Sequence, residues 1–200
     1  MSVREYLSVF VSIIVGLAVA DLLISLHKLI RGGSRVRWYW LAPALTFYML
    51  LVIMSLWWGT FLWLGHVSSL SIAEFLPTLM VAIAIFLLAA AVLPDEIPEG
   101  GIDLKAWYFG NASQIWLLAA IGLSLTMING ADFQATVLKD SGRFSWPLLG
   151  QRFIADEWDN VLTLVACIWL IFSKRPRIHE AVIIVGLIDM VYSAAVFRIG

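Results

Sequence analysis

Long blocks of apolar residues restrict what this sequence can fold into more than any other feature. The stretch IIVGLAVADLLISL, from Ile13 to Leu26, contains a single charged residue. Hydrophobic residues make up 62% of the 200 residues and charged residues 14%, whereas a soluble domain is about 45–50% apolar and about 25% charged. The pattern therefore predicts an integral membrane protein in contact with a lipid bilayer.

Six stretches of the chain are candidates for membrane crossing, because a helix needs about 20 residues to span a hydrocarbon core about 30 Å thick. We predict an all-α, polytopic membrane protein in which residues 1–200 form a single transmembrane domain, a bundle of six transmembrane helices. The predicted spans are residues 6–30, 41–64, 72–93, 110–130, 156–173 and 180–198. Ser71 and Glu74 open the third span as a capping pair, and Leu93-Pro94 closes it.

The fifth span is the weakest, because its uninterrupted apolar core runs only from Val161 to Phe172. We expect it to begin in the polar cluster 156–160 and to cross the membrane, with a half-helix as the alternative. The preceding residues 130–155 contain Gly130 and Pro147 and are predicted to form a long loop.

The first span also resembles a signal peptide that ends at Ala20. The apolar run continues beyond Ala20 through Leu22 to Leu26, so we expect an uncut transmembrane helix.

The basic residues of the short links predict the topology. The link after the first span and the link after the fifth are both basic, and the link after the second has no Lys or Arg. We therefore predict a multi-pass plasma-membrane protein with both termini outside the cell and links one, three and five in the cytoplasm. The basic residues of these two links are Lys28, Arg31, Arg35, Arg37, Lys174, Arg175 and Arg177.

The third link is acidic and shares the predicted cytoplasmic side with the basic first link. We expect exposed ion pairs between the two loops. The alternative is a docking face for a cytoplasmic partner, formed by residues 31–40 and 94–105.

Small residues recur every four positions along the first span, at Ser8, Ser12, Gly16 and Ala20. Such a stripe allows the backbones of two helices to approach closely. We predict that this stripe packs against neighbouring helices and that the first helix lies at the centre of the bundle.

Two aspartates stand inside apolar spans, Asp21 in the first and Asp189 in the sixth. A charged side chain at the bilayer centre costs about 2.5–3.5 kcal/mol on insertion scales. We therefore expect both carboxyl groups to face the bundle interior, with Ser25, Tyr192 and Ser193 as hydrogen-bonding neighbours.

Several site classes are not supported by the residues present. The chain has one cysteine, Cys167, no metal-binding motif and no run of basic residues that would bind nucleic acid. We predict no cofactor and no enzymatic activity. Haem held between His27 and His179, which both fall near the predicted cytoplasmic face, is a distant alternative.

Four segments resemble a family of small, uncharacterised bacterial multi-pass inner-membrane proteins. They are EYLSVFVSIIVGLAVADLLISLHKLIR (5–31), RWYW (37–40), LPD (93–95) and DLKAWYF (103–109). The resemblance covers about the first 120 residues. It implies a bacterial inner-membrane location, and it implies no activity and no functional residues.

Together these features predict a membrane channel or transporter for protons, cations or a small solute, with Asp21 and Asp189 as its intramembrane charges. The alternative is a non-catalytic scaffold or accessory subunit in which the same aspartates lock helix packing. In both cases we expect a homo-oligomer, because a small bundle gains packing surface by self-association.

Overall fold

The computed structural model describes residues 3–65 and 71–196, and this part of the chain is built from six α-helices and one pair of short strands. The helices are α1 (Val3–Gly32), α2 (Leu41–Gly65), α3 (Ile72–Ala91), α4 (Leu104–Asp140), α5 (Trp146–Phe172) and α6 (Pro176–Val196), and the strands are β1 (Val36–Arg37) and β2 (Ile102–Asp103). The all-α prediction is confirmed. Residues 197 and 198, the end of the sixth predicted span, lie outside the described residues.

Five of these helices are long and apolar enough to cross a membrane when the described residues are considered: α1, α2, α3, α4 and α6. Helix α5 has 27 residues and is long enough, but Asp156, Glu157 and Asp159 fall near its middle. Helix α5 therefore differs from the other five helices in its charged residues and not in its length.

Helix α3 begins and ends as its sequence predicts. The Ser71 hydroxyl accepts a hydrogen bond from the Glu74 backbone N–H at 3.3 Å, and the Glu74 carboxylate accepts one from the Ser71 N–H at 2.7 Å. This reciprocal capping box satisfies two N–H groups that the helix itself leaves unpaired. The helix ends at Ala91, three residues before Pro94.

The long loop predicted for residues 130–155 is wrong. Helix α4 continues through Gly130 to Asp140, and only residues 141–145 connect it to α5. Pro147 lies in the first turn of α5, where a missing N–H removes no helical hydrogen bond, and Ser145 caps that turn by accepting from the Leu148 N–H. A serine followed by Trp-Pro was therefore a helix start and not a loop signal.

The helices are arranged so that α1 packs between α2 and α3, α3 packs on α4, α4 on α5, and α2 on α6. Strands β1 and β2 pair in parallel, with Val36 opposite Ile102 and Arg37 opposite Asp103. We call this part of the molecule, residues 33–40, 92–103 and 173–175, the strand end of the bundle. It brings the first and third links together at one end, which the predicted topology requires of links on one side of a membrane.

The packing face of α1 differs from the predicted small-residue stripe. Its buried residues are Val11, Ala18, Leu22, Ser25 and Leu29. Gly16 and Ala20 are exposed, and a Cβ added to Gly16 would meet no atom within 4 Å. Ser8 and Ser12 are partly buried, and Ser12 accepts a hydrogen bond from Trp57 Nε1 of α2 at 2.9 Å. The stripe therefore contacts another helix only at its serine end, and α1 is not a central helix because large side chains such as Ile13 and Leu17 are exposed.

Candidate functional site

Helix α6 is anchored at its first turns and uncovered along its second half. Its buried residues in the described part of the chain are His179 and Ile183. Gly186 lies against α2, since a Cβ added there would be 3.2 Å from Cε2 of Tyr48. Residues 191–195 are all exposed. Because α6 makes few contacts with α5, none of the described helices covers its outer face.

The polar residues predicted on α6 lie on this uncovered part. Asp189 and Ser193 are exposed, and Tyr192 is 68% exposed. The expectation that Asp189 faces the interior of its own bundle is therefore wrong. Asp189 lies one turn after Gly186 and close to Tyr48 of α2, but it remains exposed because α6 makes few contacts with α5. We call Asp189, Tyr192 and Ser193 the polar face of α6.

The other carboxylate, Asp21, is partly buried on α1, and Ser25 one turn later is buried. Asp21 stands eleven residues before Gly32, and Asp189 thirteen residues after Pro176. With a rise of about 1.5 Å per residue, both carboxylates lie about 16–20 Å along their helices from the strand end. The two acids therefore share a similar depth.

Although the two aspartates lie at a similar depth, they do not form a single site. Two clefts, of about 440 Å³ and about 310 Å³, are lined by other residues. In the described structure Asp21 and Asp189 have no hydrogen bond or ion pair with one another.

A chain of hydrogen bonds anchors the base of α6 to α4. Trp116 Nε1 donates to Tyr108 Oη at 2.9 Å, Tyr108 Oη and His179 Nδ1 are 2.8 Å apart, and His179 Nε2 and the Ser173 carbonyl oxygen are 2.9 Å apart. A carbonyl only accepts, so Nε2 carries a proton, and in the neutral imidazole Nδ1 accepts from the Tyr108 hydroxyl. An indole only donates, so the Tyr108 hydroxyl accepts from Trp116.

This arrangement excludes the histidine pair that haem would need. Both ring nitrogens of His179 are already hydrogen-bonded inside the protein. His27 is exposed on α1. The structure therefore does not bring the two histidines together as axial ligands.

A second polar contact ties α6 to the link between α1 and α2. Tyr39 is buried, and its hydroxyl donates to Glu180 Oε1 at 2.7 Å. The Lys105 ammonium lies 5.4 Å from the centre of the Tyr39 ring. Burial, followed by the hydrogen bond to Glu180 and its negative charge, raises the pKa of Tyr39 well above its ordinary value. The neutral phenol is therefore the form that this contact selects.

The expected pairing of the basic and acidic loops is confirmed at the strand end. Arg37 Nη1 lies 3.2 Å from Asp103 Oδ2, and the Lys28 ammonium donates to the Asp95 carbonyl oxygen at 2.9 Å. Asp103 also caps α4 by accepting from two backbone N–H groups. The hydrogen bond from Ala106, then the Lys105 N–H and Arg37, lower the pKa of the Asp103 carboxyl.

Sequence reasoning missed Tyr108 and Trp116 as partners of His179. They stand eight residues apart on α4, so about two turns of helix place them on one side. That spacing of two aromatic residues with polar atoms was the available signal. The spacing does not indicate which helix would face Tyr108 and Trp116.

Comparison with known proteins finds no relative that would assign this site. No family model matches the chain, and no curated protein or solved structure is significantly similar to it.

Proposed function

We propose that this chain is a non-catalytic integral membrane protein that acts as an assembly subunit and forms a homo-oligomer through the polar face of α6. The observation that carries the proposal is the exposed carboxyl group of Asp189 on a helix that is otherwise apolar enough to cross a membrane. Lipid cannot satisfy this group, which costs about 2.5–3.5 kcal/mol on insertion scales. A second protein surface that covers it removes this cost.

The occupant we infer is a second copy of the chain, because the polar face of α6 is complementary to itself. Asp189 supplies a hydrogen-bond acceptor, and Tyr192 and Ser193, three and four residues later, supply hydroxyl donors. Residues at these spacings lie on the same side of a helix. A two-fold interface uses the same patch on both subunits, so donors of one copy meet the acceptor of the other.

The proposal includes a sixth crossing by α5. Helices α4 and α5 pack along one another, and only residues 141–145 join them, which makes them antiparallel neighbours. Exposed apolar residues of α5 extend from Ile154 through Leu162 and Trp169 to Phe172, over about 27 Å at the rise of an α-helix, and the exposed Asp156 and Asp159 interrupt them near the start. This length approaches that of a hydrocarbon core. The partly buried Glu157 and Asn160 are hydrogen-bonded to each other at 2.7 Å.

Six crossings place both termini on one side, and the basic first and fifth links favour the cytoplasm for the strand end. The cellular location we propose is the inner membrane of a bacterium.

Oligomer mass in lipid nanodiscs tests the assembly role. We expect the wild type to carry two or more copies per particle by native mass spectrometry, and Asp189→Leu to shift toward one copy because its face becomes compatible with lipid. Ile188→Leu, on an adjacent exposed position of α6, is the matched control and should retain the wild-type mass. A monomeric wild type, or an Asp189→Leu variant with unchanged mass, contradicts the proposal.

Transport of protons or cations is the second candidate, and the similar depth of Asp21 and Asp189 favours it. The path would then run between copies, with the polar face of α6 lining it. Proteoliposomes separate the two functions. Transport predicts a protein-dependent proton or cation flux that Asp189→Asn abolishes while the oligomer persists, whereas the assembly role predicts no protein-dependent flux.

A further inference from the structure

A cleft of about 440 Å³ opens at the strand end between the end of α3 and the first turns of α4. Its volume falls in the usual range of small-ligand sites, about 300–1,000 Å³. It is separate from the polar face of α6 and shares none of its residues. We call it the α3–α4 cleft.

The lining of this cleft combines apolar, aromatic and acceptor groups. Ala90, Ala91 and Ile115 are apolar residues of the lining, and Trp107, Asn111 and Gln114 also line the cleft. Asn111 uses its N–H group to donate to the Trp107 carbonyl at 2.8 Å, which leaves its amide oxygen as an acceptor.

The charge of the cleft is negative. Asp95 and Glu96 are its two carboxylates, both exposed, and its lining includes no Lys, Arg or His. The carbonyl end of α3, which bears partial negative charge, is also part of the lining. The ammonium of Lys28 donates to the backbone oxygen of Asp95 at 2.9 Å and not to its side-chain carboxylate.

We propose that the α3–α4 cleft binds an ammonium group of a small organic cation. An alkylammonium is attracted by carboxylates and by the face of an indole ring, and its methyl or methylene groups need apolar surface. The α3–α4 cleft supplies all three. Tryptophan also prefers the headgroup level of a bilayer, which places this cleft where either a soluble amine or the amine headgroup of a phospholipid can enter.

The binding test uses choline and the full chain in nanodiscs of phosphatidylglycerol, a lipid without an amine. The comparison ligand is the uncharged isostere in which a tert-butyl group replaces the trimethylammonium. Calorimetric titration should give saturable binding of choline and at least roughly fivefold weaker binding of the isostere, because the isostere lacks the charge that attracts the indole ring and the carboxylates. Absence of saturable choline binding, or equal affinity for the two ligands, overturns the proposal.

Variants then locate the site. Asp95→Asn combined with Glu96→Gln should weaken choline binding roughly fivefold or more, and Trp107→Leu should weaken it by a similar factor. Glu99→Gln lies in the same acidic link but outside the cleft lining, so its affinity should equal that of the wild type. Unchanged affinity in the double carboxylate variant, which keeps both exposed side chains polar, also overturns the proposal.

Repeating the titration in nanodiscs of phosphatidylethanolamine identifies the source of the ammonium group. A lipid headgroup in the cleft competes and raises the apparent Kd for choline, whereas an unchanged Kd assigns the cleft to a soluble amine. Either result supports an ammonium site, and neither depends on the oligomer proposed for α6.

Discussion

At the scale of single residues, two polar contacts fix the first turns of α6 to other segments of the chain. His179 joins α6 to α4, and Tyr39 joins the α1–α2 link to α6 through Glu180. Each of these contacts couples segments that are far apart in sequence. Periodicity marks which side of a helix is polar, but it does not say which helix will meet that side, so these partners could not be predicted from the sequence.

The hydrogen-bond chain predicts a large effect for His179→Leu. This change removes the acceptor of the Tyr108 hydroxyl proton and the donor to the Ser173 carbonyl, and an unsatisfied buried group costs about 1–3 kcal/mol. We expect the free energy of unfolding in detergent to fall by about 2 kcal/mol or more. His27→Leu is the control, because His27 is exposed, and it should change stability little. Equal effects of the two substitutions would show that these hydrogen bonds do not contribute to the free energy of unfolding.

The contact between Tyr39 and Glu180 predicts a pH-dependent effect of Tyr39→Phe. Hydrogen bonds to charged groups contribute about 1.5–3 kcal/mol, so the variant should be less stable than the wild type near neutral pH. The pKa of Tyr39 is raised by folding, so its contribution is fully present below the ordinary tyrosine pKa, about 10. That contribution is lost as the pH rises through the higher value of the folded state.

Unfolding of the wild type and Tyr39→Phe at several pH values checks this sign. The difference in stability between the two proteins should be constant up to about pH 10 and shrink above it. Tyr6→Phe, at a position that is 70% exposed, should show no such pH-dependent difference. A difference for Tyr39→Phe that grows with pH would contradict the assignment.

At the scale of elements, the start and end of most helices follow from local chemistry. The Ser71–Glu74 capping box and the Leu93-Pro94 exit were sufficient to place α3. The long α4 and early start of α5 were not predicted, because Gly130 and Pro147 were treated as breakers, although a helix tolerates glycine in its interior and proline in its first turn. Helix α4, with 37 residues, is about 55 Å long and exceeds a hydrocarbon core of about 30 Å.

The parallel strand pair imposes a strict requirement on Gly101. This residue has a φ of +85°, and a Cβ added there would lie 2.6 Å from the backbone oxygen of Arg35. We expect Gly101→Ala to reduce the unfolding free energy by about 1–2 kcal/mol from backbone strain alone, with a further loss from the clash. Neighbouring Gly100 has open space around it, so Gly100→Ala is the control.

Thermal unfolding of the two alanine variants in the same detergent gives the comparison. A lower Tm for Gly101→Ala than for Gly100→Ala is the expected result. Equal Tm values would mean that the β1–β2 pair opens without loss of stability.

At the scale of the whole molecule, the membrane location follows from composition and length, whereas the surroundings of the two aspartates do not. Asp21 lies in α1 and Asp189 in α6, two helices that are long and apolar enough to cross a membrane. The exposure of the polar face of α6 depends on α6 packing on α2 with few contacts to α5, and no local sequence pattern encodes that choice of partner. The central claim that results is that a second copy of the chain covers this face.

Photocrosslinking in native membranes tests that claim most directly. A benzoylphenylalanine in place of Tyr192 probes the polar face of α6, and the same group in place of Trp169, which is 58% exposed on α5, probes a purely apolar face. We expect illumination at position 192 to yield an adduct of twice the chain mass, with both halves identified as this protein, and position 169 to yield mainly lipid adducts. Only lipid adducts at position 192, or an adduct with a different protein, would contradict the claim.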